Sequence, residues 1–346
     1  MEDSWHLPSP ASARIRAAAI AAVRAWQCAE AFDAALLYGS AAWGDADEGS
    51  DGDVMLLHKG AGVWDEVTRV RDDASGLHFD VVRASWNAFE RGVAGGWWLP
   101  RLACGLVLLD TGQRLALAAA PARRAWRDPV RRRERAVTAL GSAPECGTGP
   151  GLVDAWRQAA ISAAHAVLLA RGVPPSGHHL LSRLHAAAGR SAVEALVEGL
   201  ALPRSADEAM ARHAAAMELL AWARGLVAGL PLAGQEPSQL QLIRFALSED
   251  AHAAAVDAAA GWRRQRAWAQ WGLVSRDLAR IAVLRNVAPV VGVPPEPAAF
   301  AAWLGAHAPS LVTTWWEALG LRAGAEGDRL AAQRAHSTLA ALINKV

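Results

Sequence analysis

The chain has 346 residues, 53% of them hydrophobic, and a formal charge of +1. It can bury a large core, and it lacks the charge excess that would draw it generally to nucleic acid or to a membrane. The length exceeds one compact core and implies two or three domains. Its three cysteines, Cys28, Cys104 and Cys146, lie far apart without a CxxC pair, which excludes a disulfide framework and a cysteine metal knuckle.

The opening residues, MEDSWHLPSPAS, show no basic stretch ahead of an apolar one. No run approaches the roughly 20 apolar residues of a bilayer span. A cytoplasmic protein is expected. Ser9-Pro10 is an N-cap and first-turn pair, and the apolar residues that follow predict a helix from about Pro10 to Glu30. Phe32 to Gly39 reads as the first strand. There Gly39 lets the backbone turn, and Ser40 can cap a short helix whose free N–H groups face an anion. Ser50, Asp51 and Asp53 open the second strand, Gly52 to His58. The i, i+2 spacing puts Asp51 and Asp53 on one face, and paired acids invite a divalent cation. After a break at Gly60 to Gly62, Val63 to Asp73 is predicted as a crossover helix. Leu77 to Arg83 is the third strand, with Asp80 inside its apolar run. Ser85 to Arg91 reads as a helix and Leu106 to Leu109 as a fourth strand.

From Gln113 onward helix punctuation takes over. Asp128-Pro129 starts a helix that Gly141 ends. The arginines around it, from Arg123 to Arg135, could meet a triphosphate tail or an RNA backbone, but such a charge run is more often a solvated helix face. Ser142 to Gly151 is a flexible loop, and Leu152 to Ala170 a helix stopped by Gly172. Ser176 caps a helix running to Gly189. Ser191 with Glu194 and Ser205 with Glu208 have the spacing of capping boxes for two more. Pro231 to Pro237 is a linker, followed by predicted helices at Ser238–Ala260, Trp262–Leu284, Pro297–His307, Ser310–Leu319 and Asp328–Ile343. Trp262, Trp268, Trp271, Trp303, Trp315 and Trp316 fall mostly at helical spacing and read as packing residues. His165, His178, His179 and His185 share no carboxylate or cysteine at metal spacing. The expected organisation is α+β: a small mixed sheet with helices over residues 1–126, a helical bundle over 127–232 and a second helical region over 233–346.

Gly39-Ser40, three residues, Gly44, five residues, then Ser50-Asp51-Gly52-Asp53, with Asp80 as a third carboxylate on a later strand, resemble the signature of the polymerase-β-like nucleotidyltransferase superfamily. The likeness covers Ser9 to Trp126 and is to its minimal, kanamycin-type antibiotic-modifying branch. The paired helices beyond resemble that branch's acceptor-binding bundle and, more distantly, the HEPN helical domain. Arg171 and His178 satisfy the arginine, six residues, histidine pattern of HEPN ribonucleases, but Gly172 and Pro174-Pro175 put a loop between them.

The resemblance implies an enzyme that moves a nucleoside monophosphate, AMP from ATP, onto a hydroxyl of a small-molecule acceptor, releasing pyrophosphate. Asp51, Asp53 and Asp80 would hold two Mg²⁺ ions about 4 Å apart, which clamp the attacking and leaving oxygens. Gly39, Ser40 and Ser50 would meet the nucleotide. One departure from the pattern is the loop from Ala41 to Glu48, which is acidic where many relatives are basic. Triphosphate charge would then fall to the metals, the turn's N–H groups and bases elsewhere, of which Arg83 is nearest in sequence. Asp154, with Arg157 one turn on, sits where that branch carries its catalytic carboxylate, and would be the base that deprotonates the acceptor. NTP and a small acceptor are the expected partners, and the chain could form a homodimer. The alternatives are an acceptor that is a protein or an RNA end, as in antitoxin-like members, or a nucleotide-binding regulatory module without turnover.

Overall fold

The computed structural model describes residues 9–59, 66–94, 99–141, 143–144, 149–229, 243, 246–321 and 326–343. The chain divides into two compact units, Met1–Asp128 with Glu236–Phe245, and Pro129–Gln235 with Ala246–Val346. The architecture is α+β, a small mixed sheet with helices in the first unit and helices alone in the second.

The first unit opens with α1 (Pro10–Ala29), capped by the Ser9 hydroxyl, which accepts from the Ser12 N–H. Then come β1 (Ala34–Tyr38), the five-residue α2 (Gly39–Trp43) and β2 (Gly52–His58). β3 (Glu66–Arg71), β4 (His78–Ser85), α3 (Trp86–Ala94), α4 (Leu99–Cys104), β5 (Leu106–Asp110) and α5 (Arg114–Arg127) follow. The strand order is β3-β4-β2-β1-β5, with β2 parallel to β4 and the other pairs antiparallel. Both faces of the sheet are covered, so β1 and the middle of β2 read as unbroken apolar runs rather than alternating ones. Leu36, Leu37, Met55, Leu56 and Leu57 are all fully buried, each worth about 1.5–3 kcal/mol in removed apolar surface. Ile15, Ala19, Leu37, Leu56, Phe79 and Val81 make the core beneath α1. Leu36, Met55, Leu57, Ala84, Phe89, Leu102 and Leu115 make the core on the other face, beneath α3, α4 and α5.

The predicted crossover helix at Val63–Asp73 is a strand instead, as far as its described residues go. Its apolar positions 63, 64, 67 and 70 fit a helical stripe, but Val67, Thr68 and Val70 are β-branched, and such side chains favour the pleated conformation. β3 and β4 form a hairpin in which Asp72 does the turning. Its carboxylate accepts from the Ser75 N–H at 2.9 Å, its carbonyl accepts from the Gly76 N–H at 2.7 Å, and Gly76 takes φ +70°. Ser40 is not the cap of α2. The helix begins at Gly39, with Tyr38 in the N-cap position and no side-chain cap bond. Gly60–Gly62 and Pro231–Pro237 lie outside the described residues.

The second unit contains α6 (Pro129–Leu140), α7 (Gly149–Ala170), α8 (Leu180–Ala188), α9 (Arg190–Gly199), α10 (Ala206–Gly229), α11 (Glu249–Gln265) and α12 (Trp268–Arg280). A π-helical turn, Ile281–Val287, a single turn at Ala288–Val290, α13 (Pro297–His307), α14 (Leu311–Ala318) and α15 (Glu326–Ile343) complete it. The last of these packs along α7 and α9, so the unit takes in helices from both regions read as separate, 127–232 and 233–346. Two expectations on caps and loops change. Gly149, Pro150 and Gly151 belong to α7 rather than to the loop before it. Ser191 does not cap α9, which starts from Gly189, and Glu194 pairs with Arg190 at 2.6 Å. Ser205 does accept from the Glu208 N–H at 3.3 Å. Trp262, Trp271 and Trp315 are buried as their spacing predicts, and the remaining three tryptophans of that set are half-buried. No helix among the described residues is long and apolar enough to cross a membrane.

Candidate active site

The sheet brings three acids to one place. β1 ends at Tyr38 opposite Asp53, and Asp53 in turn lies beside Asp80 across the parallel β2–β4 pair. Asp51 stands two residues before Asp53, just ahead of β2. Asp51, Asp53 and Asp80 each offer a carboxylate oxygen within 4.8 Å of the others, and all three are half-buried. They share the face that α3, α4 and α5 cover. Met55, Leu57 and Ala84, at even offsets along the same strands, belong to the core on that side.

Gly39 explains its own identity. It turns the chain at φ +72°, and a Cβ there would overlap the Asp53 carboxylate. Only glycine lets the backbone come this close to the acid while holding a left-handed conformation. The turn is braced from behind by Arg16 of α1, whose Nε and Nη2 donate to the carbonyls of Ala41 and Ala42 at 2.8 and 2.7 Å. Those are orphan carbonyls at the end of α2.

The acidic loop does local work. Asp47 Oδ1 accepts from the Gly49 N–H and from the Ser50 hydroxyl, each at 3.0 Å, and the Asp47 N–H donates to Ser50 Oγ at 2.9 Å. Ser50, expected to meet the nucleotide, is thus a partner of Asp47 in a turn of the kind such side chains favour. Ser40 stands half-buried in α2, and its carbonyl accepts from the N–H groups of Gly44 and Asp45.

Arg83 does not join the acids. It lies three residues from Asp80, an odd offset that puts it on the opposite face of β4. There its Nε donates to both Glu30 oxygens at 2.8 and 3.1 Å, and its Nη1 to Thr68 Oγ1 at 2.6 Å. Arg69 is a cation at the acids. β3 sets it opposite Asp80, and its Nη1 donates to Asp51 Oδ2 at 2.9 Å and to Asp80 Oδ1 at 3.0 Å. A second base, Arg101 of α4, places its guanidinium over the Tyr38 ring, 5.5 Å from the centroid. Neither arginine stands out in the sequence. Reading Val67-Thr68-Arg69-Val70 as a strand, with the turn at Asp72–Gly76, would have set Arg69 opposite Asp80.

The electrostatics show acids forced together. Burial and the repulsion of Asp51 and Asp80 hold the Asp53 carboxyl well above its ordinary pKa, against the pull of Arg101 and Arg69. Asp80 is raised to about 6 by burial and by Asp51, with Arg69 acting in the opposite direction. Burial, followed by the field of Asp53, raises the Tyr38 phenol and keeps it protonated. Closely set carboxylates with this much unrelieved repulsion suit a hard dication, which takes oxygen ligands and offsets their charge. The donor set therefore fits Mg²⁺ and offers no nitrogen or sulfur for zinc.

Asp154, the expected base, lies inside the second unit. It is fully buried, with Oδ1 accepting from Arg276 Nη2 at 2.5 Å and Oδ2 paired with Arg280. The Gln158 amide, oriented as its neighbours require, accepts from both arginines. Arg157 is equally buried and donates to the carbonyls of Leu319 and Gly320 at 3.1 and 3.0 Å. Arg171 directly follows α7, and His178 lies past Gly172, which takes φ +74°.

No protein-family model matches the sequence, and no curated protein matches it. Among solved structures, a nucleotidyltransferase-like protein from Exiguobacterium sibiricum 255-15 is similar at 12% identity over 54% of this chain and 67% of that one, with a TM-score of 0.27.

Proposed function

We propose that the first unit is the catalytic part of a Mg²⁺-dependent nucleotidyltransferase that moves a nucleoside monophosphate, AMP from ATP, onto a hydroxyl of a small acceptor. The observation that carries this reading is the convergence of Asp51, Asp53 and Asp80 on one sheet face beside the Gly39 turn. Asp51, Asp53 and Asp80 would hold the metal. A dication there supplies positive charge to the α-phosphate and to the departing pyrophosphate.

The chain's own residues do the rest. Gly39 lets backbone approach where a side chain would block it, and Arg16 keeps that turn in place. Tyr38, held protonated, can donate a hydrogen bond to an anionic oxygen. Arg101 brings positive charge to the same edge from α4. Arg69 and Arg101 answer the shortage of bases in the loop from Ala41 to Glu48. Asp154 takes no part in this reading, since both of its oxygens are committed to arginines of the second unit.

The test is pyrophosphate release from each of the four NTPs with Mg²⁺, together with transfer of α-phosphate label in the presence of cell extract. Label in a small-molecule fraction, lost in Asp53→Asn, is expected. Label in a protein or RNA band would redirect the proposal to a macromolecular acceptor. No turnover and no stabilisation by any NTP with metal would refute it.

A second reading has one observation in its favour. Arg69 already neutralises part of the triad, as it would in a nucleotide-binding module that has given up turnover. In that case NTP binding would persist without pyrophosphate release, and Asp51→Asn would leave binding unchanged.

A further inference from the structure

A single nitrogen, Arg69 Nη1, sits between two of the three acids, 2.9 Å from Asp51 Oδ2 and 3.0 Å from Asp80 Oδ1. The Arg69 side chain is only 13% exposed, against 32% for Asp51 and 22% for Asp80. This contact is set by the backbone. Arg69 and Asp80 are register partners in an antiparallel pair, so their side chains leave the same face about 5 Å apart. β3 is also the edge of the sheet, where one strand can shift without breaking pairing on its other side.

Asp51 and Asp80 would both be ligands of a divalent ion held by the triad, and their oxygens could not serve the ion while they accept from Arg69 Nη1, whose positive charge would also repel it at close range. The guanidinium and the ion therefore compete for the same oxygens.

We propose that Arg69 is a built-in counter-cation of the acidic triad: it neutralises Asp51 and Asp80 while no metal is bound, and it must give up those oxygens when a divalent ion enters. Arg69 thereby sets the metal concentration at which the site fills. It is a positioning residue, acting through the acids, and the inference rests on the metal-binding reading of the triad given above.

The experiment is calorimetric titration of the full chain with Mg²⁺ and with Mn²⁺, without nucleotide, for wild type, Arg69→Met, Arg69→Lys and Asp53→Asn, each checked for native far-UV circular dichroism. Arg69→Met is expected to bind the ion about tenfold or more tightly than wild type, since a competing positive charge is gone. Arg69→Lys, which keeps the charge, should stay within a few-fold of wild type. Metal should also raise the melting temperature of Arg69→Met more than that of wild type, because the variant's acids begin without a partner. Unchanged or weaker metal binding in Arg69→Met, with binding lost in Asp53→Asn, would overturn the counter-cation role and leave the metal site standing. Equal binding in Asp53→Asn and wild type would remove the metal site itself, and the inference with it.

Discussion

Replacing Asp80 by Asn should make the metal-free protein more stable at neutral pH. Asp80 ionises at about 6 in the folded chain because burial and Asp51 oppose its charge, whereas an unfolded Asp ionises at about 3.9. Between those values the folded state binds more protons than the unfolded state. Stability therefore falls as pH rises from about 4 to about 6 and then levels off. The difference between the two states corresponds to about 3 kcal/mol of stability lost above pH 7. Asn mimics the neutral carboxyl and escapes that penalty, so Asp80→Asn should gain about 2 kcal/mol once the weakened Arg69 contact is allowed for. Urea unfolding of both proteins at pH 5 and pH 7.5, in chelator, measures it. The gain should be present at pH 7.5 and shrink at pH 5. A variant less stable than wild type at pH 7.5 would mean that Arg69 over-compensates the repulsion among the acids, and the electrostatic account of the site would fail.

Gly39→Ala should cost about 2 kcal/mol or more, since the new Cβ meets the Asp53 carboxylate and the φ of +72° opposes any L side chain; denaturant unfolding would show it, and no loss would mean the turn can relax. Asp154→Asn should destabilise the second unit by about 3–5 kcal/mol, because Arg276 and Arg280 are left beside a neutral partner in a buried setting. A fall in turnover with the melting temperature unchanged would instead restore Asp154 as a base. Arg83→Gln should leave Mg²⁺ affinity within about two-fold of wild type while loosening the Glu30 and Thr68 contacts; a large loss of metal binding would place Arg83 in the site after all.

Local signals were enough for a good part of this chain. The helix from Pro10, the strand from Gly52 to His58 and the helix from Pro297 to His307 follow from caps, punctuation and period alone, because each pattern is written within one segment. Asp51, Asp53 and Gly39 could be picked out for the same reason: their spacing is local, and a strand's two-residue period puts both acids on one face. That Asp80 joins them was an expectation from resemblance, and it depends on β2 and β4 lying parallel and in register.

Pairing between distant segments settled the rest. Val63–Asp73 carries a helical stripe together with β-branched residues, and pairing with the edge of β4 selected the strand at Glu66–Arg71. With that selection Arg69 arrived opposite Asp80, and Arg83, closer in sequence, was turned to the far face to meet Glu30. Asp154 likewise looked available at the start of a helix, yet α12 brings Arg276 and Arg280 onto it from more than a hundred residues away. Which residue types could carry the chemistry, and on which local face each stands, can be read along the chain. Which charges meet could be read only from the folded molecule, because charge pairing depends on distances across strands and helices that no local period encodes.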